Sequence, residues 1–168
     1  MFTRLAQLTF SLVLSLGVSA TSLMADGTAT PLLTISGDVT LTDGGDVLVL
    51  DRDALVELPA TTFETSTIWT DGVHTFTGVA LADLAAELGV ENGQFLATAI
   101  NDYTVEIPFS DAVEGGPIIA YLMDGEEMSV RGKGPLWVIY PYDSDADYRS
   151  EVIYSRSIWQ LDRLEIVQ

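Results

Sequence analysis

NDYTVEIPFSDAVEGGPIIAYLMDGEEMSVRGKGPLWVIY, residues 101–140, is the stretch that decides the fold. It holds three runs rich in β-branched, aliphatic and aromatic residues, at 103–107, 118–123 and 136–140, and turn-forming residues separate them. Runs of this composition between Gly, Pro, Asn and Asp are typical of β-strands. Asn101-Asp102 separates the first run from another apolar run at 95–100, so the sequence predicts that these two strands pair.

Two short helices are predicted upstream of this stretch. Asp51 can cap a helix that carries Leu55 and Leu58, and Pro59 ends it. A second helix is indicated by apolar residues at i, i+3, i+4 and i+7, with Gly89 as its natural end. These residues are Leu81, Leu84, Ala85 and Leu88.

The remaining chain predicts more strands and one long loop. Strands are expected at 32–35, at 61–69, at 73–76 after the turn Asp71-Gly72, and at 159–167. Residues 140–158 are expected to form a polar loop. The fold class is therefore α+β: a strand-rich domain with a mixed sheet or barrel-like arrangement and a few short helices.

Four segments, in the same order along the chain, resemble motifs of the oxidoreductase molybdopterin-binding domain family, whose fold is of the sulfite oxidase type. Residues 76–84 are similar to "w-x-GvpL-x-dLL", and residues 102–108 to "dgY-x-v-x-iP". Residues 120–126 are similar to "lAy-x-x-NGepL", and residues 134–141 to "GgPlRlvvP". The resemblance covers residues 47–168, and it implies molybdopterin as the cofactor and oxidoreductase chemistry as the activity.

The chain lacks the residue on which that chemistry depends. In the family, a cysteine thiolate holds the molybdenum together with a dithiolene, since soft ligands suit this metal. The resemblance places this position within Thr65, Ser66 and Thr67, and the chain contains no cysteine. Trp137 also stands where the family has the arginine of "GgPlR", which removes a guanidinium fork for phosphate.

The N-terminus has the pattern of a secretory signal peptide. Arg4 precedes an apolar run over residues 5–18 and small residues up to Ala20, so residues 1–20 are expected to be removed, with cleavage as late as Ala25. Residues 21–46 are then an entry segment with one strand, ahead of the domain at 47–168. The run is too short to span a bilayer, so the sequence predicts a periplasmic or secreted protein whose mature chain does not insert into a membrane. A retained N-terminal anchor is the alternative.

The net charge of the chain limits the classes of partner that it can bind. The chain has a formal net charge of −18 at pH 7, which repels nucleic acid and anionic lipid. Its few basic residues concentrate after residue 130, beside aromatic residues. One interpretation is that they pair with neighbouring acids on the surface. The other is a small anion-binding or ligand-binding site formed by Arg131, Lys133, Tyr142, Arg149 and Arg156.

Two further motifs are incomplete. His74 is the only histidine of the chain and lies beside a turn, which favours a structural role over catalysis. Asp143, Asp145 and Asp147 have the D-x-D-x-D spacing that opens a calcium loop. The glycine and the closing acid of an EF-hand are missing from their positions, so the segment predicts a solvated acidic loop, with low-affinity calcium binding as the alternative.

Two functions remain open, and the sequence does not decide whether the chain is an enzyme. The first is a non-catalytic ligand-binding or sensory accessory domain that binds no cofactor. Its partner would be a small ligand or a periplasmic or membrane signalling protein. The second is a molybdopterin-dependent oxidoreductase with atypical metal coordination. The missing thiolate favours the first, because loss of a direct metal ligand abolishes the usual site.

Overall fold

The computed structural model describes residues 30–39 and 45–168 of the chain. The predicted signal peptide at 1–20, and cleavage as late as residue 25, therefore lie outside the described residues. The three α-helices in the described ranges are α1 (Arg52–Glu57), α2 (Leu81–Glu87) and α3 (Glu151–Arg156). The strands are β1 (Leu33–Gly37), β2 (Val47–Leu50), β3 (Ala60–Ser66), β4 (Val73–Ala80), β5 (Gln94–Ala99), β6 (Thr104–Pro108), β7 (Ile118–Met123), β8 (Glu126–Glu127), β9 (Trp137–Ile139) and β10 (Leu161–Val167).

The first sheet is mixed and has the strand order β2-β1-β10-β5-β6. β1 runs parallel to β10, whereas β2, β5 and β6 pair antiparallel with their neighbours. β1 comes from the predicted entry segment, and it lies between β2 and β10 in this sheet. The expected pairing across Asn101-Asp102 is confirmed as the β5–β6 hairpin, in which Asp102 has a positive φ of 65°.

The second sheet follows the order β3-β4-β7-β8, and β9 pairs with β7. Gly78, the glycine of the 76–84 motif, lies where the β4–β7 register shifts. A Cβ atom at this position would lie 2.2 Å from the backbone oxygen of Ile119, so only glycine fits. The strand-rich α+β class is confirmed, with two open sheets as its form.

Local helix signals explain α1 and α2. The Asp51 carboxylate accepts a hydrogen bond from the Ala54 backbone N–H at 2.8 Å, as expected for an N-cap. In α2, Leu81, Leu84 and Ala85 are buried on one face, as their spacing predicts. No helix in the described part of the chain is long and apolar enough to cross a membrane.

Two predicted elements were wrong. Residues 140–158 are not all loop, because Ser150 caps α3 by accepting a hydrogen bond from the Ile153 N–H. The strand expected to reach Trp69 ends at Ser66. The reason is local: the Thr67 hydroxyl oxygen accepts the N–H groups of Trp69 and Thr70, which turns the backbone out of the strand.

One hydrophobic core draws on both sheets and on α2. The segments 136–138 and 158–161 join the sheets through backbone bonds: Val138 N–H donates to Ile158 O, and Leu161 N–H donates to Leu136 O. Trp137 lies at this junction, is fully buried, and donates its indole N–H to the Ser157 carbonyl at 3.1 Å. The junction therefore combines backbone pairing with a buried, hydrogen-bonded indole.

Replacing Trp137 with Phe tests how much this junction contributes. The change removes the indole donor and leaves space in the core, so we expect the free energy of unfolding to fall by about 2–3 kcal/mol. Trp159→Phe is the matched control, because Trp159 is 37% exposed, and we expect a loss of about 1 kcal/mol. Urea unfolding followed by far-UV circular dichroism measures both, and equal losses would contradict a special role for Trp137.

Candidate functional site

The three residues at the family's cysteine position lie at the end of β3 and face the segment after β9. Thr65 is fully buried, and its hydroxyl oxygen accepts the backbone N–H of Asp143 at 3.1 Å while its proton is directed to the Ser66 carbonyl at 3.3 Å. Thr67 forms the turn that ends the strand. Thr65 and Thr67 hydroxyls thus serve the local backbone.

Ser66 forms a two-point contact with Asp143. Its backbone N–H donates to one carboxylate oxygen at 2.6 Å, and its hydroxyl donates to the other at 2.9 Å. These two bonds hold the pKa of Asp143 below its ordinary value, and the charge of Arg149 adds to the effect. The Ser66 hydroxyl therefore donates its proton to an ionised carboxylate. Ser66 is the middle residue of the segment that the resemblance assigns to the family's cysteine.

The acidic repeat does not form a calcium loop in the described residues. Asp143 bonds Ser66, and the Asp145 carboxylate accepts the Asp147 backbone N–H, capping a 3-10 turn at 146–148. No cluster of three or more His, Cys, Asp or Glu side chains within 30–39 and 45–168 is arranged to hold a metal ion. The D-x-D-x-D spacing is explained by these local bonds.

The basic residues expected to converge have different partners. Arg156 pairs with Asp111 at 2.9 Å, and Arg149 acts on Asp143. Lys133 lies over the rings of Trp137 and Trp159, with its Nζ 5.4 Å and 4.6 Å from the ring centroids. Arg131 is exposed on a 3-10 turn at 130–132. The basic residues predicted to form one anion site therefore lie in separate environments.

Tyr142, the fifth residue of that proposed site, belongs to the core. It is 1% exposed, and its hydroxyl bonds the hydroxyl of Ser157, which in turn donates to the Ile153 carbonyl. Burial raises the pKa of the Tyr142 phenol. Tyr142 therefore lies in the core, and its assignment as a ligand-binding residue stays a prediction.

Arg156 completes a second polar group, which is partly buried. The Asp111 carboxylate accepts hydrogen bonds from Arg156 and from the Tyr140 hydroxyl, the latter at 2.7 Å. Burial, with the neighbouring carboxylate, raises the pKa of Tyr140. This group ties the 3-10 turn at 109–111 to β9 and α3, which is a structural role.

A cavity of about 420 Å³ opens beside these segments. Trp69 comes from the turn after β3, Tyr154 from α3, and Trp159 from the segment before β10. The β5–β6 hairpin contributes Asn101 and Tyr103. The other lining residues are Ala99, Ser155, Ser157, Ile158 and Gln160. Aromatic rings and uncharged polar groups form the walls, as is common in small-molecule sites.

Sequence reasoning did not assign Trp69, Tyr103 and Trp159 to a site. Trp69 and Trp159 were expected within strands. One local signal was available for Trp69, because Thr67 and Thr70 flank it with the spacing of a side-chain turn. Trp69 contacts the rings of Trp137, Tyr154 and Trp159 with centroids 5.7–5.8 Å apart, and such contacts between distant segments have no sequence signal.

His74 takes a structural position at the edge of β4. One ring nitrogen, Nδ1, bonds the Asp124 carboxylate at 2.6 Å, and the other, Nε2, bonds the Asp71 carbonyl at 3.0 Å. The second Asp124 oxygen accepts the Thr75 N–H. The bond to Asp124 raises the pKa of His74, partly offset by burial, and lowers the pKa of Asp124. Both ring nitrogens are thus bonded to the turns at Asp71 and Asp124, which is the structural role that the sequence favours.

Asp143→Ala tests the contact with Ser66. We expect it to lower the free energy of unfolding by about 1 kcal/mol, because two bonds to a charged acceptor are lost from a solvent-screened position. Asp147→Ala is the control, since the same loop carries it and only its backbone N–H is used in a hydrogen bond. Chemical denaturation measures both variants. Equal stability of the two would show that the Ser66–Asp143 bonds contribute nothing.

The His74–Asp124 pair predicts a pH-dependent stability. His74 has a raised pKa, so its contribution is complete below its ordinary value of 6.5 and is lost as the pH rises through the folded-state pKa. The lowered pKa of Asp124 keeps its carboxylate charged at both pH values used in the test. Unfolding of the wild type and His74→Gln should therefore differ more at pH 5.5 than at pH 8.5. A difference that is independent of pH would contradict the charged pair.

Comparisons with known proteins agree with this geometry. Residues 57–144 match the family model of the oxidoreductase molybdopterin-binding domain. The match contains both sides of the Ser66–Asp143 contact, but it ends before Tyr154, Trp159 and Gln160 of the cavity. No curated protein matches the chain. Since the match covers more than half of its length, the chain belongs to the oxidoreductase molybdopterin-binding domain family.

Proposed function

We propose that this chain is an exported, non-catalytic member of the family that binds a small ligand, as a sensory or accessory domain. The observation that carries the proposal is the contact between Ser66 and the Asp143 carboxylate, in the segment where the family holds its metal-ligating cysteine. The chain contains no cysteine at any position.

The donor set does not fit a molybdenum–dithiolene group. A soft metal site needs a thiolate, and this segment offers only hydroxyls, which are hard donors of high pKa. The Thr65 hydroxyl is buried and bonded to backbone groups, and the Ser66 hydroxyl donates to Asp143. The Asp143 carboxylate, with its lowered pKa, also places a negative charge beside any anionic ligand set.

The phosphate group of such a cofactor would also lack the arginine that the family provides for it. Trp137 replaces the family's arginine, and its indole N–H is already used by the Ser157 carbonyl. Arg156 is paired with Asp111, and Lys133 contacts two tryptophan rings. These contacts support a function that does not include molybdopterin.

The cavity supports ligand binding as that function. Its volume of about 420 Å³ lies in the range of small-molecule sites, which is roughly 300–1,000 Å³. Export rests on the sequence of residues 1–20, in which Arg4, the apolar run and the small residues follow the order of a signal peptide. A periplasmic ligand or signalling protein is then the partner we propose.

The test is expression of the full chain in a host that makes and exports the molybdenum cofactor. We expect the purified protein to contain molybdenum and pterin at background level, by elemental analysis and by fluorescence of the released pterin. A cysteine-containing protein of the same family, expressed in the same host, is the control for cofactor supply. Stoichiometric molybdenum that disappears in Ser66→Ala would overturn the proposal and support an oxidoreductase with hydroxyl coordination.

A further inference from the structure

The walls of the cavity at Trp69, Tyr103, Tyr154 and Trp159 carry no charge. The lining side chains are aromatic, aliphatic, hydroxyl or amide groups, and none of the ten lining residues is Asp, Glu, Lys, Arg or His. A buried ligand charge without a partner costs several kcal/mol. The composition of the walls therefore restricts the charge of the ligand more than its shape.

An anionic ligand is disfavoured by the protein's charge. The chain has a net charge of −18, and no cation in the cavity wall compensates for it. Two cations contact wall residues. Arg163 donates to the Ala99 carbonyl at 3.1 Å and is paired with Asp102 at 2.7 Å. The Lys133 ammonium group lies 4.6 Å from the Trp159 ring centroid and 5.4 Å from that of Trp137. Two rings thus already engage this ammonium.

A cationic ligand is disfavoured for a related reason. The net charge of −18 attracts a cation to the protein, but the cavity wall contains no carboxylate to pair with it. The Trp159 ring, which would otherwise attract a cation, already carries the Lys133 ammonium, and a second positive charge at that ring would be repelled.

Hydrogen-bonding groups remain beside the rings. Asn101 uses its amide oxygen to accept the Tyr103 N–H, which leaves its amide nitrogen to donate. Gln160 uses its amide nitrogen to donate to the Val130 carbonyl, which leaves its oxygen to accept. A donor and an acceptor thus accompany the aromatic surfaces, a combination that suits an uncharged ring with polar substituents.

We propose that this cavity binds an uncharged ring compound bearing hydrogen-bonding substituents, and this assignment rests on the proposed ligand-binding function. The ring packs against the exposed faces of Trp159 and Tyr103, which are 37% and 58% exposed, and its substituents bond Asn101 and Gln160. A flat heteroaromatic ring and a sugar ring share this chemistry. Tyr154 to Gln160 lie beyond the family match, so this wall is a feature of the chain and not of the matched motif.

Titration of the full protein with matched probes tests the proposal. Benzamide, benzoate and benzylammonium have the same ring and differ in charge, and methyl β-glucoside represents a sugar ring. Quenching of tryptophan fluorescence and NMR line broadening of the probes report binding. We expect benzamide or the glucoside to bind at least about tenfold more tightly than either ion, because a charge that loses part of its hydration against these uncharged walls finds no partner there to replace it. Which neutral probe binds distinguishes the two ring types.

Substitutions in the cavity wall test whether the neutral probe binds there. Tyr103→Ala should weaken the neutral probe by about three- to tenfold, the amount expected for loss of an aromatic contact. Val49→Ala is the control, because Val49 is 51% exposed on β2, at the opposite edge of the same sheet, and we expect no change. Ser155→Trp fills the cavity and should abolish binding. Thermal melts verify that each variant is folded.

Several outcomes would overturn the assignment. They are tighter binding of either ion, no binding of a neutral ring by folded protein, or unchanged affinity in both Tyr103→Ala and Ser155→Trp. Elemental analysis of the same samples shows separately whether the proposed non-catalytic function fails, because it measures molybdenum and not ligand binding. Stoichiometric molybdenum in the purified protein would contradict the non-catalytic function, independently of the probe titrations. Metal-free protein that does not bind a neutral ring would contradict only the ligand assignment.

Discussion

The pairing of residues 136–138 with 158–161 is the constraint on which the rest of the structure depends. β9 belongs to the second sheet and β10 to the first, and the bridge between Trp137 and Trp159 lies where the chain passes from one to the other. Because the two sheets share one core, a shift of this pairing would move apolar side chains on both. The same pairing places Trp159 at the cavity, so the site and the core have a common support.

The sequence predicted the parts of the fold that local physics determines. Asp51 caps α1 through a bond three residues away, and the apolar stripe of α2 needs only helical spacing. The β5–β6 pairing depends on a short connection. The two errors have different causes. Trp69 lies outside the predicted strand because of the Thr67 side-chain turn. α3 is six residues long, like α1, so only a cap could reveal it, and the signal that was missed is Ser150.

The candidate site was predicted less well, for a physical reason. A cluster of basic residues in sequence says nothing of which acids they will meet. Arg156 pairs with Asp111, which is 45 residues away in sequence, and the Lys133 ammonium contacts two indole rings. Each interaction satisfies a charge locally, which removes it from a shared anion site. The cavity is instead formed by uncharged residues from separate segments, among them Trp69, Tyr103 and Trp159, which no local pattern brings together.

The contact between Ser66 and Asp143 would oppose the introduction of a ligating thiolate in this segment. A cysteine placed alone at position 66 would lie beside an ionised carboxylate, which raises a thiol's pKa and reduces the thiolate available to a metal. It would also lose the hydroxyl bond that now holds Asp143. Recovery of a ligating thiolate would require a change at Asp143 as well. The two positions are thus energetically coupled, because a change at either one weakens the contact between β3 and the loop without supplying a ligating thiolate.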